Sequence, residues 1–195
     1  MHSISENLAF FRAFLRAPKM VGSIIPTSSF VIERLLGQGN WSTVRLIVEY
    51  GPGLGTFTRS ILKRLNEQGL LIAIDPNPDF VAHLRETITD PRLIIVEGSA
   101  ADVEEIITRY APGQSVDHII SGLPFSTLPE GVGDHIVAAT HRVLTPGGSF
   151  LIYQYSRFVL PLLKPYFARI DQMRIWPNIP PCMVFAAYKA GASKP

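Results

Sequence analysis

Three glycines at alternate positions, Gly51, Gly53 and Gly55, separate the apolar run Val44-Arg-Leu-Ile-Val-Glu49 from a stretch of helical spacing, Thr56 to Gln68. A buried strand that passes through a glycine bend into a helix starts a parallel βαβ unit, and this commits the chain to an α/β sheet. The helix turns Phe57, Ile61, Leu62 and Leu65 inward and stops at Gly69. The alternation then continues. Strands are expected at Leu70–Asp75, Leu93–Val96, Val116–Ser121 and Ser149–Tyr155, and helices at Pro78–Thr89, Asp102–Tyr110 and Val132–Leu144, the last ended by Pro146-Gly-Gly148. Strands apolar on both faces, with helices between them, give a parallel sheet covered on both sides.

The ends read differently. Met173–Trp176 and Met183–Tyr188 are strand-like runs joined by Pro177-Asn-Ile-Pro-Pro181, too short for a helix, so they form an antiparallel hairpin at the sheet edge. Ser3 to Ala17 reads as a helix whose broad apolar face carries Ile4, Leu8, Phe10, Phe11, Phe14 and Leu15, with Arg12, Arg16 and Lys19 beside it. Pro18 closes it, and Thr27 or Ser28 can cap a second helix reaching about Leu36. The organisation expected is an N-terminal amphipathic helix and lid region over 1–37 and a sheet domain over 38–195, one globular body overall.

Of the 195 residues 47% are hydrophobic and 17% charged, enough apolar material to bury roughly 70% of the unfolded chain's surface. Eighteen basic residues against sixteen acidic ones leave a net charge of +2, too balanced for a surface that grips nucleic acid as a whole. No nucleic-acid partner is expected. The single cysteine, Cys182, excludes an intramolecular disulfide and fits a reducing cytoplasm. No apolar run is long enough to span a bilayer. Five histidines lack metal-ligand spacing, and no metal is expected.

The acids around the glycine bend narrow the ligand. In open α/β sheets ligands bind beyond the carboxyl ends of the strands, where strand order reverses. A dinucleotide site needs G-x-G-x-x-G, and here Thr56 stands where its last glycine belongs. Glu49 precedes the first glycine, where a ligand amine is welcome and a pyrophosphate is not. Asp75 ends the next strand about 20 residues on, placed to accept from both ribose hydroxyls. S-adenosyl-L-methionine carries an ammonium, a carboxylate and a ribose but no phosphate, and it is the expected cofactor, leaving S-adenosyl-L-homocysteine as product. The cofactor set is Glu49, Tyr50, Gly51, Gly53, Gly55, Thr56, Asp75, Pro76, Ser99, Ala100 and Ser121. In that set Ser99 and Ala100 either meet the adenine or turn the chain into the next helix, and both roles are compatible.

This layout resembles the Rossmann-like class I methyltransferases. Over nearly the whole chain it resembles the short, membrane-associated bacterial phospholipid N-methyltransferases. The resemblance rests on Phe14-Leu-Arg-Ala-Pro-Lys-Met-Val-Gly-Ser-Ile-Ile-Pro-Thr-Ser28, Val48-Glu-Tyr-Gly-Pro-Gly-Leu-Gly-Thr-Phe-Thr58, Ile120-Ser-Gly-Leu-Pro-Phe125 and Arg174-Ile-Trp-Pro-Asn-Ile-Pro-Pro181. It implies a seven-stranded, mostly parallel sheet with a C-terminal antiparallel hairpin and an N-terminal helical extension. It also implies methylation of phosphatidylethanolamine and its methylated derivatives toward phosphatidylcholine. The layout is similar as well to the ribosomal RNA adenine dimethyltransferases, whose Asn-Leu/Ile-Pro-Tyr/Phe motif holds the target amine. Here that motif is Ser121-Gly122-Leu123-Pro124-Phe125, and Gly122 has no side chain to accept the hydrogen bond. Adenine N6 chemistry and a small-molecule acceptor stay as alternatives.

On the acceptor side, Tyr153, Tyr155, Gly122 and Leu123 are the catalytic candidates. Phe125 and Trp176 are further aromatic walls for a product that becomes cationic, and Arg157 is a partner for a lipid phosphate. Each aromatic is either wall or core. Head-group selectivity lies near Asn178 or in the turn holding Ser23, Thr27 and Ser28. The face of Phe10, Phe11 and Phe14, with Arg12, Arg16 and Lys19, either meets an anionic membrane or lids the cofactor cleft. Each buried apolar side chain is worth roughly 1.5–3 kcal/mol and each base at an anionic surface about 1 kcal/mol, so apolar insertion would dominate. The apolar, basic stretch Arg157 to Arg169 is a second contact. The expected location is cytoplasmic and peripheral at the inner face of the membrane, and the expected state is a monomer.

Overall fold

The computed structural model describes residues 29–37, 41–175 and 182–191. Seven strands form one sheet in the order β3-β2-β1-β4-β5-β7-β6. They are β1 (Leu46–Tyr50), β2 (Leu70–Asp75), β3 (Leu93–Glu97), β4 (Val116–Ser121), β5 (Leu144–Gln154), β6 (Arg169–Ile175) and β7 (Cys182–Tyr188). The first five are parallel, and β7 runs antiparallel to both β5 and β6. The order turns back between β1 and β4, so the switch point sits where the glycine bend leaves β1.

Alternate residues of the central strands feed two apolar layers, because successive side chains point to opposite faces. Val48, Tyr50, Ile72, Ile119, Phe150 and Ile152 pack under α4 (Val103–Tyr110) and α5 (Val132–Val143). Ile47, Leu71, Ile120, Leu151 and Val184 pack under α1 (Ser29–Leu36) and α2 (Thr56–Leu62). From α1, Val31, Ile32, Leu35 and Leu36 enter that layer, so the described part of the 1–37 segment belongs to the domain's core. Between β2 and β3, α3 (Pro78–Thr87) starts with proline and is capped by the Asn77 side chain, which accepts from the Asp79 N–H at 2.9 Å.

The structure differs from the sequence reading at four places. The second helix ends at Leu62, six residues early, because Arg92 reaches back to the carbonyls of Leu62 (3.0 Å) and Leu65 and closes the turn. Pro146-Gly-Gly148 does not separate a helix from a strand. It lies inside β5, where Gly147 takes φ 82° at a register shift, and its N–H bonds to the Lys189 carbonyl at 3.1 Å. The outer hairpin strand begins at Arg169 rather than Met173, since an edge strand exposed on one face needs few apolar residues. Finally, Arg157 to Arg169 contains a short helix, α6 (Val159–Leu163), whose Val159 and Leu163, with Phe167, are core residues. Only part of that stretch is therefore free for an outside contact: Phe158 is 52% exposed and Tyr166 37%.

Candidate functional site

The bend after β1 is built from three left-handed residues, Gly51, Gly53 and Gly55, with φ of 67°, 54° and 80°. Only glycine adopts such angles without strain. Gly51 donates to the Ile74 carbonyl at 3.0 Å and Gly55 to the Pro52 carbonyl at 2.9 Å, and these bonds tie the loop to β2 and to itself. The glycines differ in what surrounds them. A methyl group at Gly55 would meet Leu84 Cδ2 at 2.7 Å, Arg59 Nη1 at 2.8 Å and Ile88 Cδ1 at 2.9 Å. A methyl group at Gly53 would meet nothing within 4 Å and would enter the open space above the strand ends. Gly55 is therefore a packing glycine, and Gly53 borders open space.

Two carboxylates flank this space. Glu49 is almost fully buried, and Thr58, one turn into α2, donates its hydroxyl to Glu49 Oε2 at 2.7 Å. Burial pushes the Glu49 carboxyl up to about 8; the Thr58 bond opposes the shift and the charge of Asp75 adds to it. Asp75 accepts from the Gly53 N–H at 3.2 Å and from the Asn77 N–H at 2.9 Å. Burial raises it to about 6 against those two bonds. Burial disfavours the charged form of both carboxylates, and a ligand ammonium and ribose diol are groups that would stabilise it. The residues present thus fit S-adenosylmethionine. They fit a pyrophosphate poorly, because Glu49 would stand where its negative charge must go.

The loop after β4 forms the opposite wall. Gly122 donates to the Tyr50 carbonyl at 3.1 Å, and the Leu123 N–H donates to the Ser121 hydroxyl at 3.2 Å. A Cβ on Gly51 would stand 3.3 Å from Leu123 Cδ2, so the two loops face each other closely. Beyond β3, the Ser99 hydroxyl accepts from the Ala101 N–H at 3.2 Å and caps a short 3-10 turn, Ala100–Asp102, which leaves its own hydrogen available to a ligand. A cleft of about 410 Å³ opens beside this edge, lined among others by Pro76, Glu97, Gly98, Ile106 and Tyr110.

Several expected site residues take other places. Tyr50 is fully buried, and its hydroxyl bonds Thr140 at 3.1 Å, so only its backbone borders the site. Phe125, expected as an acceptor wall, is fully buried against Phe150, 6.4 Å between ring centres; the turn after β4 folds it inward. Thr56 is exposed at the start of α2. Tyr153 does stand at the carboxyl edge, half-buried, with its ring stacked on Phe57 at 4.4 Å and 21°. Tyr155 is 42% exposed beyond it, and Arg157 is exposed as well. At the end of the Arg157–Arg169 stretch, Arg169 pairs with Asp171 at 2.7 Å and lies over the Tyr188 ring. Phe10, Phe11, Arg12, Phe14, Arg16, Lys19, Ser23, Thr27, Ser28, Trp176 and Asn178 lie outside the described residues.

Sequence reasoning overlooked three contributors. Thr58 holds Glu49, Asn77 holds Asp75, and Phe57 supports Tyr153. Two of them had side-chain signals, a hydroxyl one turn past the glycines and an aromatic at the helix start; the bond from Asn77 comes from its backbone N–H, which any residue but proline would offer. None of the three names its partner before the fold brings the strand ends together.

A sheet of this order, with a glycine bend and two buried acids at its switch point, is the arrangement of class I S-adenosylmethionine-dependent methyltransferases. A family model described as a methyltransferase domain matches residues 47–148, just over half of the chain, and the chain belongs to that family. It is 26% identical over 184 residues to an ornithine lipid N-methyltransferase from Singulisphaera acidiphila, covering 91% of this chain and 93% of that protein. Among solved structures, the N-methyltransferase NodS from Bradyrhizobium japonicum WM9, in complex with S-adenosyl-L-homocysteine, superposes with a TM-score of 0.65. The match has 13% identity and covers 94% of this chain and 98% of that one. A 1,6-didemethyltoxoflavin-N1-methyltransferase from Burkholderia thailandensis gives 0.66 at 16% identity, covering 97% and 92%. S-adenosylmethionine is the methyl donor. Among the described residues no group of histidine, cysteine and acidic side chains could hold a metal ion, and no helix is long and apolar enough to cross a membrane.

Proposed function

We propose that this methyltransferase acts on the amine of phosphatidylethanolamine and of its methylated derivatives, at the surface of an anionic membrane. The observation that carries this reading is the relationship to a lipid N-methyltransferase along almost the full length of both chains. It extends well past residues 47–148, which any member of the family would share. The ribosomal RNA small subunit methyltransferases H that match do so over 38–51% of this chain and 24–32% of their own length. Gly122, which offers no side chain to an adenine amine, speaks against adenine N6 chemistry.

The chemistry asks little of the chain beyond placement. When bound, S-adenosylmethionine supplies a methyl group on a sulfonium. Glu49 and Asp75 fix its charged and hydroxylated parts, and Leu123 with the Gly51 turn keeps water from one side. A lipid ammonium has a pKa near 10 and gives its proton to water before attack. The neutral nitrogen's lone pair forms the N–C bond as the C–S bond breaks, leaving S-adenosylhomocysteine and a methylated ammonium. Tyr155, Arg157 and Phe158 are exposed just beyond β5, where a head group would arrive. The N-terminal segment, with Phe10, Phe11 and Phe14 beside Arg12, Arg16 and Lys19, serves in this reading as the membrane anchor, and the chain works as a peripheral monomer.

The test is release of S-adenosylhomocysteine by the purified chain with four additions: phosphatidylethanolamine vesicles, ornithine lipid vesicles, RNA, or none. Turnover driven by phosphatidylethanolamine vesicles is expected. Turnover with RNA alone, or with ornithine lipid alone, overturns the acceptor assignment. For the anchor, sedimentation with anionic vesicles should be lost on deletion of residues 1–19, and equal pelleting of the truncated chain refutes it.

A further inference from the structure

The paired strands place four residues in one row across the carboxyl edge of the sheet. Tyr50 pairs with Ile74 and with Ser121, and Ser121 pairs with Ile152. One step further along each strand the row reads Asp75, Gly51, Gly122, Tyr153. The backbone bonds from Gly51 to Ile74 and from Gly122 to Tyr50 carry the pairing into that step. Parallel strands lie about 4.8 Å apart, so the two glycines leave a shallow trough two strands wide with no side chains of its own, a carboxylate at one end and a tyrosine at the other, and Leu123 Cδ2 and the Tyr153 ring lean over it.

Gly122 is not a glycine for conformational reasons, since its φ is not positive. Its reason is steric. A Cβ there would stand 2.3 Å from the Tyr153 hydroxyl and 2.7 Å from ring carbon Cζ. The Tyr153 side chain therefore leans from β5 across the end of β4, toward the trough and away from its own strand. The stack on Phe57 fixes the ring in that attitude, and Phe57 is itself buried at the start of α2. A rigid phenol tip lies over a residue that would otherwise fill the same space.

We infer that Gly122 and Tyr153 act as one unit: the Tyr153 hydroxyl contacts the acceptor amine at the methyl-transfer position, and Gly122 is the vacancy that lets it reach there. Asp75 would hold the ribose of a bound donor at the other end of the row, and the span between it and the phenol would take the donor's methyl-bearing sulfonium. The hydroxyl oxygen accepts from an N–H of a primary or secondary amine and turns its lone pair toward the methyl group; a tertiary amine offers no N–H and meets the phenol by packing alone. The unit does the work that a side chain at position 122 would do for a planar adenine amine, and it favours a tetrahedral alkyl amine. This inference rests on the amine-acceptor reading above.

Three variants test it: Tyr153→Phe, Gly122→Ala and the two together, each first shown to fold by its thermal transition. Losing a hydrogen bond to a reacting group lowers kcat/KM about 10- to 100-fold. That loss is expected with phosphatidylethanolamine vesicles for each single variant, and the double variant should be no worse than either. S-adenosylhomocysteine affinity should stay within about twofold. A second measurement needs no acceptor. Sinefungin carries an amine on carbon in place of the methyl-sulfonium, so its affinity relative to S-adenosylhomocysteine reports on whatever faces the methyl position. That ratio should fall at least fivefold in Tyr153→Phe. Full activity in Tyr153→Phe, losses that multiply in the double variant, or an unchanged sinefungin ratio overturns the inference. Failure of the wild-type chain to methylate the lipid counts against the acceptor reading, and the sinefungin ratio still decides the role of Tyr153.

Discussion

Gly53 and Gly55 stand two residues apart in one loop, and their alanine variants should fail in opposite ways. At Gly55 the added methyl group suffers twice. A left-handed backbone costs an L-residue about 1–2 kcal/mol, and φ there is 80°. Three heavy atoms at 2.7–2.9 Å, from Leu84, Arg59 and Ile88, add overpacking of roughly 1–3 kcal/mol. The sum is about 2–5 kcal/mol, and at about 2–4 °C per kcal/mol for a chain of this size the Tm should fall by roughly 4–20 °C. At Gly53 only the backbone term applies, since no atom lies within 4 Å of the new methyl, and Tm should fall by about 2–8 °C. The methyl would stand in the ligand's space, beside the N–H that holds Asp75. Gly53→Ala should therefore weaken S-adenosylhomocysteine binding at least tenfold with a modest change in Tm. Gly55→Ala should show the large Tm loss and, at a temperature where it is folded, a smaller binding loss. Thermal unfolding by circular dichroism and titration calorimetry read the two quantities separately. If Gly55→Ala melted within 2 °C of wild type, or Gly53→Ala bound normally, the division of roles within the loop would be wrong.

Further outcomes follow from the buried acids. The folded-state values of Glu49, about 8, and Asp75, about 6, lie above the ordinary carboxylate values of 4.5 and 3.8. The ligand-free fold should therefore lose stability as pH rises through these values, because the unfolded chain releases its protons first. Binding of the cationic donor should release protons near pH 7, visible as a calorimetric heat that changes with the ionisation enthalpy of the buffer; identical heats in phosphate and Tris would contradict this. Glu49→Gln should raise the Tm of the ligand-free chain at pH 9 and weaken donor binding; a lower Tm there would refute the burial argument. Thr58→Val removes the hydroxyl that holds Glu49. It should cost about 1–3 kcal/mol in ligand affinity, read by the same titration, and an unchanged affinity would show that Glu49 needs no positioning.

Much of the sheet was legible because its signals are local. Leu70–Asp75 and Val116–Ser121 match the structure end to end, as short apolar runs bounded by turn residues. The glycine bend and its two acids were readable for the same reason: strand, bend, helix and acid follow one another in sequence. What was not legible depends on contacts between distant residues. Nothing near Leu62 shows that Arg92 will close its helix, and nothing near Leu144 shows that Lys189 will draw Pro146-Gly-Gly148 into a strand. Phe125 looked like a wall because it follows β4, but the turn places it on the opposite layer, against Phe150. The converse holds for Gly122. Sequence marks it as a missing side chain, and only the fold shows that Tyr153 occupies the space.

The account stands on the two carboxylates at the strand ends. Titration of the wild-type chain, Asp75→Asn and Glu49→Gln with S-adenosylmethionine, S-adenosylhomocysteine and a nicotinamide dinucleotide tests them directly. Wild type should bind both sulfur nucleosides and give no heat with the dinucleotide, and each variant should bind S-adenosylmethionine at least tenfold more weakly. Tight binding of the dinucleotide, or variants that hold S-adenosylmethionine as well as wild type, would contradict it.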